Sequence, residues 1–331
     1  MDGRLSAPRL ALSRIGLGGS AFGNLYRATS DEDSAAAVNA AWDVGVRYFD
    51  TAPHYGLGLS ERRMGALLAD RPRSEWILST KVGRLLEPAP EHADRLDDDF
   101  AVPAAHRRVW DFSRDGVLRS LEASLERLDL DRIDVVYLHD PDDHWEQAST
   151  DAVDTLVELR DQGVIGAIGA GMNQSAMLAE FVRRCDVDVV MLAGRYTLLD
   201  RSAETDLLPL ARERGVAVVA AGVYNSGLLS RAHVDAASRF DYRTTPDHLL
   251  RRATRLAEIC RTHGVTLPDA AVQFPLRHPA VASVVIGARD RQQVEQGIER
   301  ASVPIPEGLW DEIDAWRSDE DLAPEENSFD D

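Results

Sequence analysis

Short runs of β-branched and aliphatic residues alternate with longer amphipathic stretches along the whole 331-residue chain. The runs Ile15–Gly18, Val46–Phe49, Trp76–Thr80, Ile133–Leu138, Val164–Gly169, Val187–Leu192, Val216–Ala220 and Ala282–Ile286 are mostly apolar, as expected of strands covered on both faces. Between them the apolar positions recur with helical spacing. Leu118, Leu121, Leu125 and Leu128 fall on one face of a helix whose cap is expected at Ser113-x-Asp115. A capping box, Ser30-x-x-Asp33, opens another helix that runs into Ala35-Ala36-Ala37-Val38.

Strand–helix alternation of this kind predicts parallel strands joined by right-handed crossovers. Eight such units with no linker-like break predict an α/β fold, a closed (β/α)8 TIM barrel forming one domain over residues 1–316. An open doubly wound sheet is the alternative arrangement. Residues 1–14 are expected to form a hairpin closing the bottom of the barrel. After a C-terminal helix, the acid-rich stretch 317–331 reads as a flexible tail. Two connections, 82–113 and 221–246, exceed what a minimal barrel needs, and long loops after strands usually carry binding walls or lids. Trp110 and Phe112 are candidates for an apolar wall there. The segment Gly16-Leu17-Gly18-Gly19-Ser20-Ala21 matches the GxGxxA dinucleotide fingerprint, but helix signals start only near Ser30. The fingerprint works by setting a helix N-terminus against a pyrophosphate, so this is a Gly-rich loop and not a Rossmann turn.

Composition narrows the partners. A formal charge of −19 argues against nucleic acid and anionic membrane, both of which need a basic surface. No stretch of about 20 apolar residues is available to span a bilayer. The opening Met1-Asp2-Gly3-Arg4 lacks the character of a secretory signal, and Cys185 and Cys260 have no partner motif. A cytoplasmic protein is expected. Asp97-Asp98-Asp99 lacks the glycine of a calcium loop, so no metal site is expected. The sequence says nothing of oligomeric state.

Of 37 basic side chains one is lysine, Lys81, at the end of the third strand. Asp50 ends the second, His139 ends the fourth, and Tyr55 follows Asp50 in the loop Thr51-Ala52-Pro53-His54-Tyr55-Gly56. In a barrel these strand ends share one face, where catalytic residues gather. Each residue alone could be structural; together they make chemical sense. An ammonium favours the phenolate of a nearby tyrosine, whose ordinary pKa is about 10, and a carboxylate keeps that ammonium charged. A tyrosine so tuned can take or give a proton, and a histidine beside it can orient a carbonyl or hydroxyl. A Schiff-base lysine is the rival chemistry, disfavoured by the carboxylate.

These motifs identify a resemblance. Phe49-Asp50-Thr51-Ala52-Pro53-His54-Tyr55-Gly56 with Ser60-Glu61, then Ser79-Thr80-Lys81-Val82-Gly83, Asp134-Val135-Val136-Tyr137-Leu138-His139-Asp140 and Leu159-Arg160-Asp161-Gln162-Gly163, resemble the aldo-keto reductase superfamily over residues 10 to 316. Within it, Gly58-Leu59-Ser60-Glu61-Arg62-Arg63, Gly194 to Asp200 and Tyr224-Asn225-Ser226-Gly227 are most similar to the D-threo-aldose 1-dehydrogenase branch, which includes L-fucose and pyridoxal 4-dehydrogenases. The resemblance implies the tetrad Asp50, Tyr55, Lys81 and His139 and a nicotinamide cofactor, NAD or NADP, bound without a Rossmann domain. It implies cofactor contacts at Gly19, Asn173, Ser226, Gly227, Leu228, Gly287, Arg289 and Gln293. Three family positions differ: Met172 replaces a serine, Ala193 a glutamine, and Ala221-Gly222 an aromatic ring. Gly287 and Gln293 stand where NADP-specific members carry cations, leaving Arg289, and this favours NAD. The expected reaction is oxidation of an aldose at C1 to the lactone. An aldehyde reductase or pyridoxal 4-dehydrogenase on the same scaffold is the alternative, and a non-catalytic NAD(P)-sensing subunit the alternative of another class.

Overall fold

A computed structural model of the chain describes residues 11–322, apart from 236 and 242. Eight parallel strands close a barrel: β1 (Ile15–Gly18), β2 (Tyr48–Asp50), β3 (Ile77–Val82), β4 (Ile133–His139), β5 (Ile165–Met172), β6 (Val189–Ala193), β7 (Ala217–Ala221) and β8 (Val281–Gly287). Each pairs with its neighbours in sequence, and β1 closes against β8 with Ile15 beside Val284 and Gly18 beside Gly287. The expected closed barrel is therefore the observed one, and the open sheet is excluded. Side chains alternate across each strand. One set points outward to the helices; the other fills the lumen with Tyr48, Val135, Tyr137, Val189, Met191, Val219 and Val285.

The helices start where small polar residues can accept the first free amide hydrogens. Ser30 accepts from Asp33 N at 3.0 Å and opens Asp31–Asp43; Ser113 accepts from Gly116 N at 3.1 Å and opens Arg114–Leu128. Only a short 3-10 turn, Ser20–Gly23, follows β1, so the Gly-rich segment is not a Rossmann turn. The apolar face of Arg114–Leu128 is rotated from the expected one. Val117, Leu121 and Leu128 are buried with Ser124, whereas Leu118 is 37% exposed. Burying a Val or Leu side chain is worth about 1.5–3 kcal/mol, and Ser120 and Ser124 let the helix approach the barrel.

Both long connections contain strands that the apolar pattern does not reveal. Residues 84–88 and 106–110 form an antiparallel ribbon in which Arg84 faces Trp110 and Pro88 faces His106. Residues 239–240 and 243–244 form a second, shorter one. No strand occupies residues 11–14; residues 1–10, where most of the expected hairpin falls, lie outside the described residues. The last helix, Glu307–Leu322, runs past residue 317, where the acidic tail is expected to begin, and residues 323–331 lie outside the described residues. No described helix is long and apolar enough to cross a membrane.

Candidate active site

The loop carrying Tyr55 is fixed by two glycines. Gly56 has φ +63°, and a Cβ there would sit 2.3 Å from Gly23 O; one on Gly23 would sit 2.5 Å from the Tyr55 carbonyl carbon. Only glycines allow the 3-10 turn after β1 and the loop after β2 to cross in contact. Tyr55 is thereby set over the barrel mouth. The ends of β2, β3 and β4 bring the other three groups to it.

Lys81 Nζ lies 3.0 and 2.8 Å from the two Asp50 oxygens, 2.9 Å from Thr51 O and 3.2 Å from Tyr55 Oη. Its pKa reflects competing effects. Burial alone would lower it, but the Asp50 carboxylate and the Tyr55 oxygen reverse this and hold it above its ordinary value. Such an ammonium stays charged, which disfavours the Schiff-base chemistry. The His139 ring meets the Tyr55 ring edge-on at 6.0 Å between centroids. Burial, then the charges of Arg84 and Lys81, pushes its pKa well below the usual histidine value, so it is neutral at physiological pH. Its Nδ1 is buried without a hydrogen-bond partner among the described residues. All four sequence-predicted tetrad residues thus converge.

Directly beneath lies a layer of hydroxyls. Tyr48, Ser79 and Tyr137 each sit two residues before Asp50, Lys81 and His139 on the same strands. Two-residue spacing on a strand puts each pair on the same face. Ser79 Oγ donates to Asp50 Oδ1 at 2.7 Å, Tyr48 Oη is 3.0 Å from Ser79 Oγ, and Tyr137 Oη is 3.2 Å from Tyr48 Oη. Behind β3, the fully buried Glu61 accepts from Thr80 Oγ1 at 2.8 Å and from Arg127 Nε at 2.6 Å.

A cleft of about 580 Å³ starts beside the tetrad, where Phe100 packs against Tyr55 at 6.2 Å between ring centroids. Ser226 and Gly227 border it with Arg231 and Arg239, opposite the acidic 97–99 segment. The two arginines suit a phosphate, whereas the carboxylates of 97–99 on the same cleft do not, and no tetrad side chain is among its lining residues. Asn173 is exposed just past β5, two residues beyond Gly171, the register partner of His139.

Other expected cofactor residues have different settings. A Cβ on Gly19 would meet Ser60 Oγ at 2.5 Å, so this glycine answers to packing beneath the site. Leu228 is buried and its amide is spent on Asn225 O. Gly287 has open space around it. Arg289 is not available as a loose cation: it donates to Arg27 O, Thr29 Oγ1 and Leu25 O. Gln293 is turned inward, accepting from Arg289 N at 3.0 Å. The Asp290 carboxylate caps the following helix through Gln293 N at 2.8 Å. Where the sequence lacks an aromatic ring, the exits of β6 and β7 touch backbone to backbone. Gly194 N donates to Ala221 O at 2.8 Å, and a Cβ on Gly222 would lie 3.1 Å from Gly194 N.

Comparison with known proteins gives the family. The family model described as "Aldo/keto reductase family" matches residues 14–318. The chain belongs to the aldo/keto reductase family. It is an NAD(P)-dependent oxidoreductase. A D-threo-aldose 1-dehydrogenase from a Pseudomonas species is 48% identical, with 93% of this chain and 95% of the relative covered. A pyridoxal 4-dehydrogenase from Microbacterium luteolum is 39% identical, over 91% and 93%. Among solved structures, the holo form of the aldo-keto reductase AKR11C1 from Bacillus halodurans superposes with a TM-score of 0.71 at 26% identity, covering 92% of each chain. The glycerol dehydrogenase AKR11B4 from Gluconobacter oxydans, at 23% identity, shares the barrel with a TM-score of 0.77 over 99% of this chain and 98% of the other.

Proposed function

We propose that this aldo/keto reductase oxidises an aldose at C1 to the lactone, with NAD as the preferred acceptor. The observation that carries the chemistry is Lys81 Nζ, held charged 3.2 Å from Tyr55 Oη by a two-oxygen contact with Asp50. The adjacent ammonium favours the phenolate, so Tyr55 serves as general base on the anomeric hydroxyl. Neutral His139 orients the substrate oxygen, and Asp50 positions Lys81. Asn173, Ser226 and Gly227 would hold a nicotinamide cofactor, which when bound would supply the hydride acceptor. Run in reverse, Tyr55 would protonate the oxygen of a reduced aldehyde. The aldose class is supported by the D-threo-aldose 1-dehydrogenase relative, 48% identical along nearly the whole chain.

Preference for NAD follows from charge at the helix after β8. Asp290 already occupies its N-terminus and Arg289 is committed to backbone carbonyls, a poor setting for a 2′-phosphate. Oxidation of pyridoxal is the second reading, favoured by the 39% relative of that activity. The test is reduced-nicotinamide absorbance, with NAD or NADP, against L-fucose, D-arabinose, D-galactose and pyridoxal at mildly alkaline pH. Reduced cofactor with an aldose and lactone formed in equal amount is expected. Turnover of pyridoxal alone would replace the aldose reading, and cofactor binding without any turnover would favour a sensor.

A further inference from the structure

The tetrad explains chemistry at one carbon but not the wall beside it. Arg84 follows Lys81 by three residues and faces Trp110 across the ribbon. Trp110 is one of the few large apolar side chains left exposed, at 42%. Its ring lies 4.9 Å from the Arg84 guanidinium carbon and nearly parallel to the His144 ring, at 18°. Arg84 donates to Asp140, the residue after His139.

Asp140 has φ +44°, a left-handed backbone that aspartate adopts more readily than most residues but at a cost. The bend returns its carboxylate to the mouth, with Oδ2 3.7 Å from His139 Nε2. The Asp140 side chain remains 35% exposed, and Arg84 Nε is buried without a partner among the described residues. The wall therefore presents a part-exposed indole with Arg84 over its ring, a carboxylate and a guanidinium next to the tetrad.

An aldose presents complementary features, an apolar C–H face and a ring of hydroxyls. Indole faces cover the first, carboxylates accept from the second, and guanidinium groups donate to them. A short hydroxyl-free aldehyde needs none of this. We propose that Trp110, Arg84 and Asp140 form the subsite that selects the sugar. Trp110 covers the apolar face, and the Asp140–Arg84 pair reads hydroxyls away from C1. These are specificity residues, and the inference rests on the aldose reading above.

Two measurements on the full-length, NAD-loaded enzyme test it. In the first, L-fucose, D-arabinose and D-galactose are titrated while tryptophan fluorescence is followed, in wild type and Trp110→Phe. A saturable change that Trp110→Phe abolishes is expected. No change with any sugar, or the same change in the variant, would overturn the subsite. In the second, kcat/KM for the best aldose is divided by kcat/KM for butanal reduction. Asp140→Asn should lower that ratio about 10- to 100-fold, the worth of one hydrogen bond to a charged group. An equal fall for both substrates would overturn the subsite. Sugar-dependent fluorescence without sugar oxidation would instead retain the subsite and refute the aldose dehydrogenase reading.

Discussion

Lys81 and Asp50 form a buried ion pair in which one ammonium reaches both carboxylate oxygens, at 2.8 and 3.0 Å, with side chains only 2% and 4% exposed. Removing one member of such a pair leaves an uncompensated buried charge. Lys81→Met should therefore lose activity and also destabilise the fold by about 3–5 kcal/mol. Thermal or denaturant unfolding checks this, and a variant as stable as wild type would deny that the pair is buried as described.

Stability should also depend on pH in a defined direction. Burial, reinforced by nearby arginines, depresses His54 to about 2 and places His139 well below the ordinary 6.5. Below about 6.5 the unfolded chain binds protons that the folded one refuses, so stability is complete above that pH and falls as pH drops. Lys81 acts oppositely. Its raised folded pKa gives stability that is present below 10.5 and lost as pH rises through the folded value. Melting temperatures between about pH 5 and 7 should decline toward acid, with a shallower slope in His54→Phe. An identical slope in that variant would contradict the assignment.

Ser79 offers a finer test. Its hydroxyl holds one Asp50 oxygen from below at 2.7 Å and in turn meets Tyr48. Ser79→Ala should lower kcat severalfold with little change in cofactor affinity, because Asp50 and hence Lys81 lose their fixed geometry. Cofactor titration by fluorescence and steady-state rates separate these effects. An unchanged kcat would remove Ser79 from the positioning of the tetrad.

What was legible in the sequence followed its physics. All eight barrel strands show as apolar runs because a central parallel strand is covered on both faces. The ribbon of Arg84–Pro88 and His106–Trp110 escapes that pattern, since four of its ten residues are the charged Arg84, Glu87, Arg107 and Arg108. The convergence of Asp50, Lys81 and His139 was readable from strand ends, and that of Tyr55 from the loop that follows Asp50. The hydroxyl layer beneath them was also available, two residues before each of three tetrad members, although strand-end reasoning alone stops short of it. Arg289 could not be read. Its partners are the carbonyls of residues 25 and 27 and the Thr29 hydroxyl, brought close only when β8 closes against β1.

Cofactor choice should respond to one charge. Asparagine caps helices about as well as aspartate, so Asp290→Asn keeps the cap and removes the negative charge. The kcat/KM ratio of NADP to NAD should rise severalfold. A ratio unaffected by the substitution would mean that the 2′ end of the cofactor does not approach Asp290.

The central claim is that Tyr55, tuned by Lys81, moves the proton. The most direct measurement is kcat of Tyr55→Phe beside its affinity for NAD, with the best aldose. General acid–base catalysis is worth about 10²–10⁴-fold, so kcat should fall by that much while NAD still binds. A variant that turns over at near wild-type rate would remove Tyr55 from the mechanism.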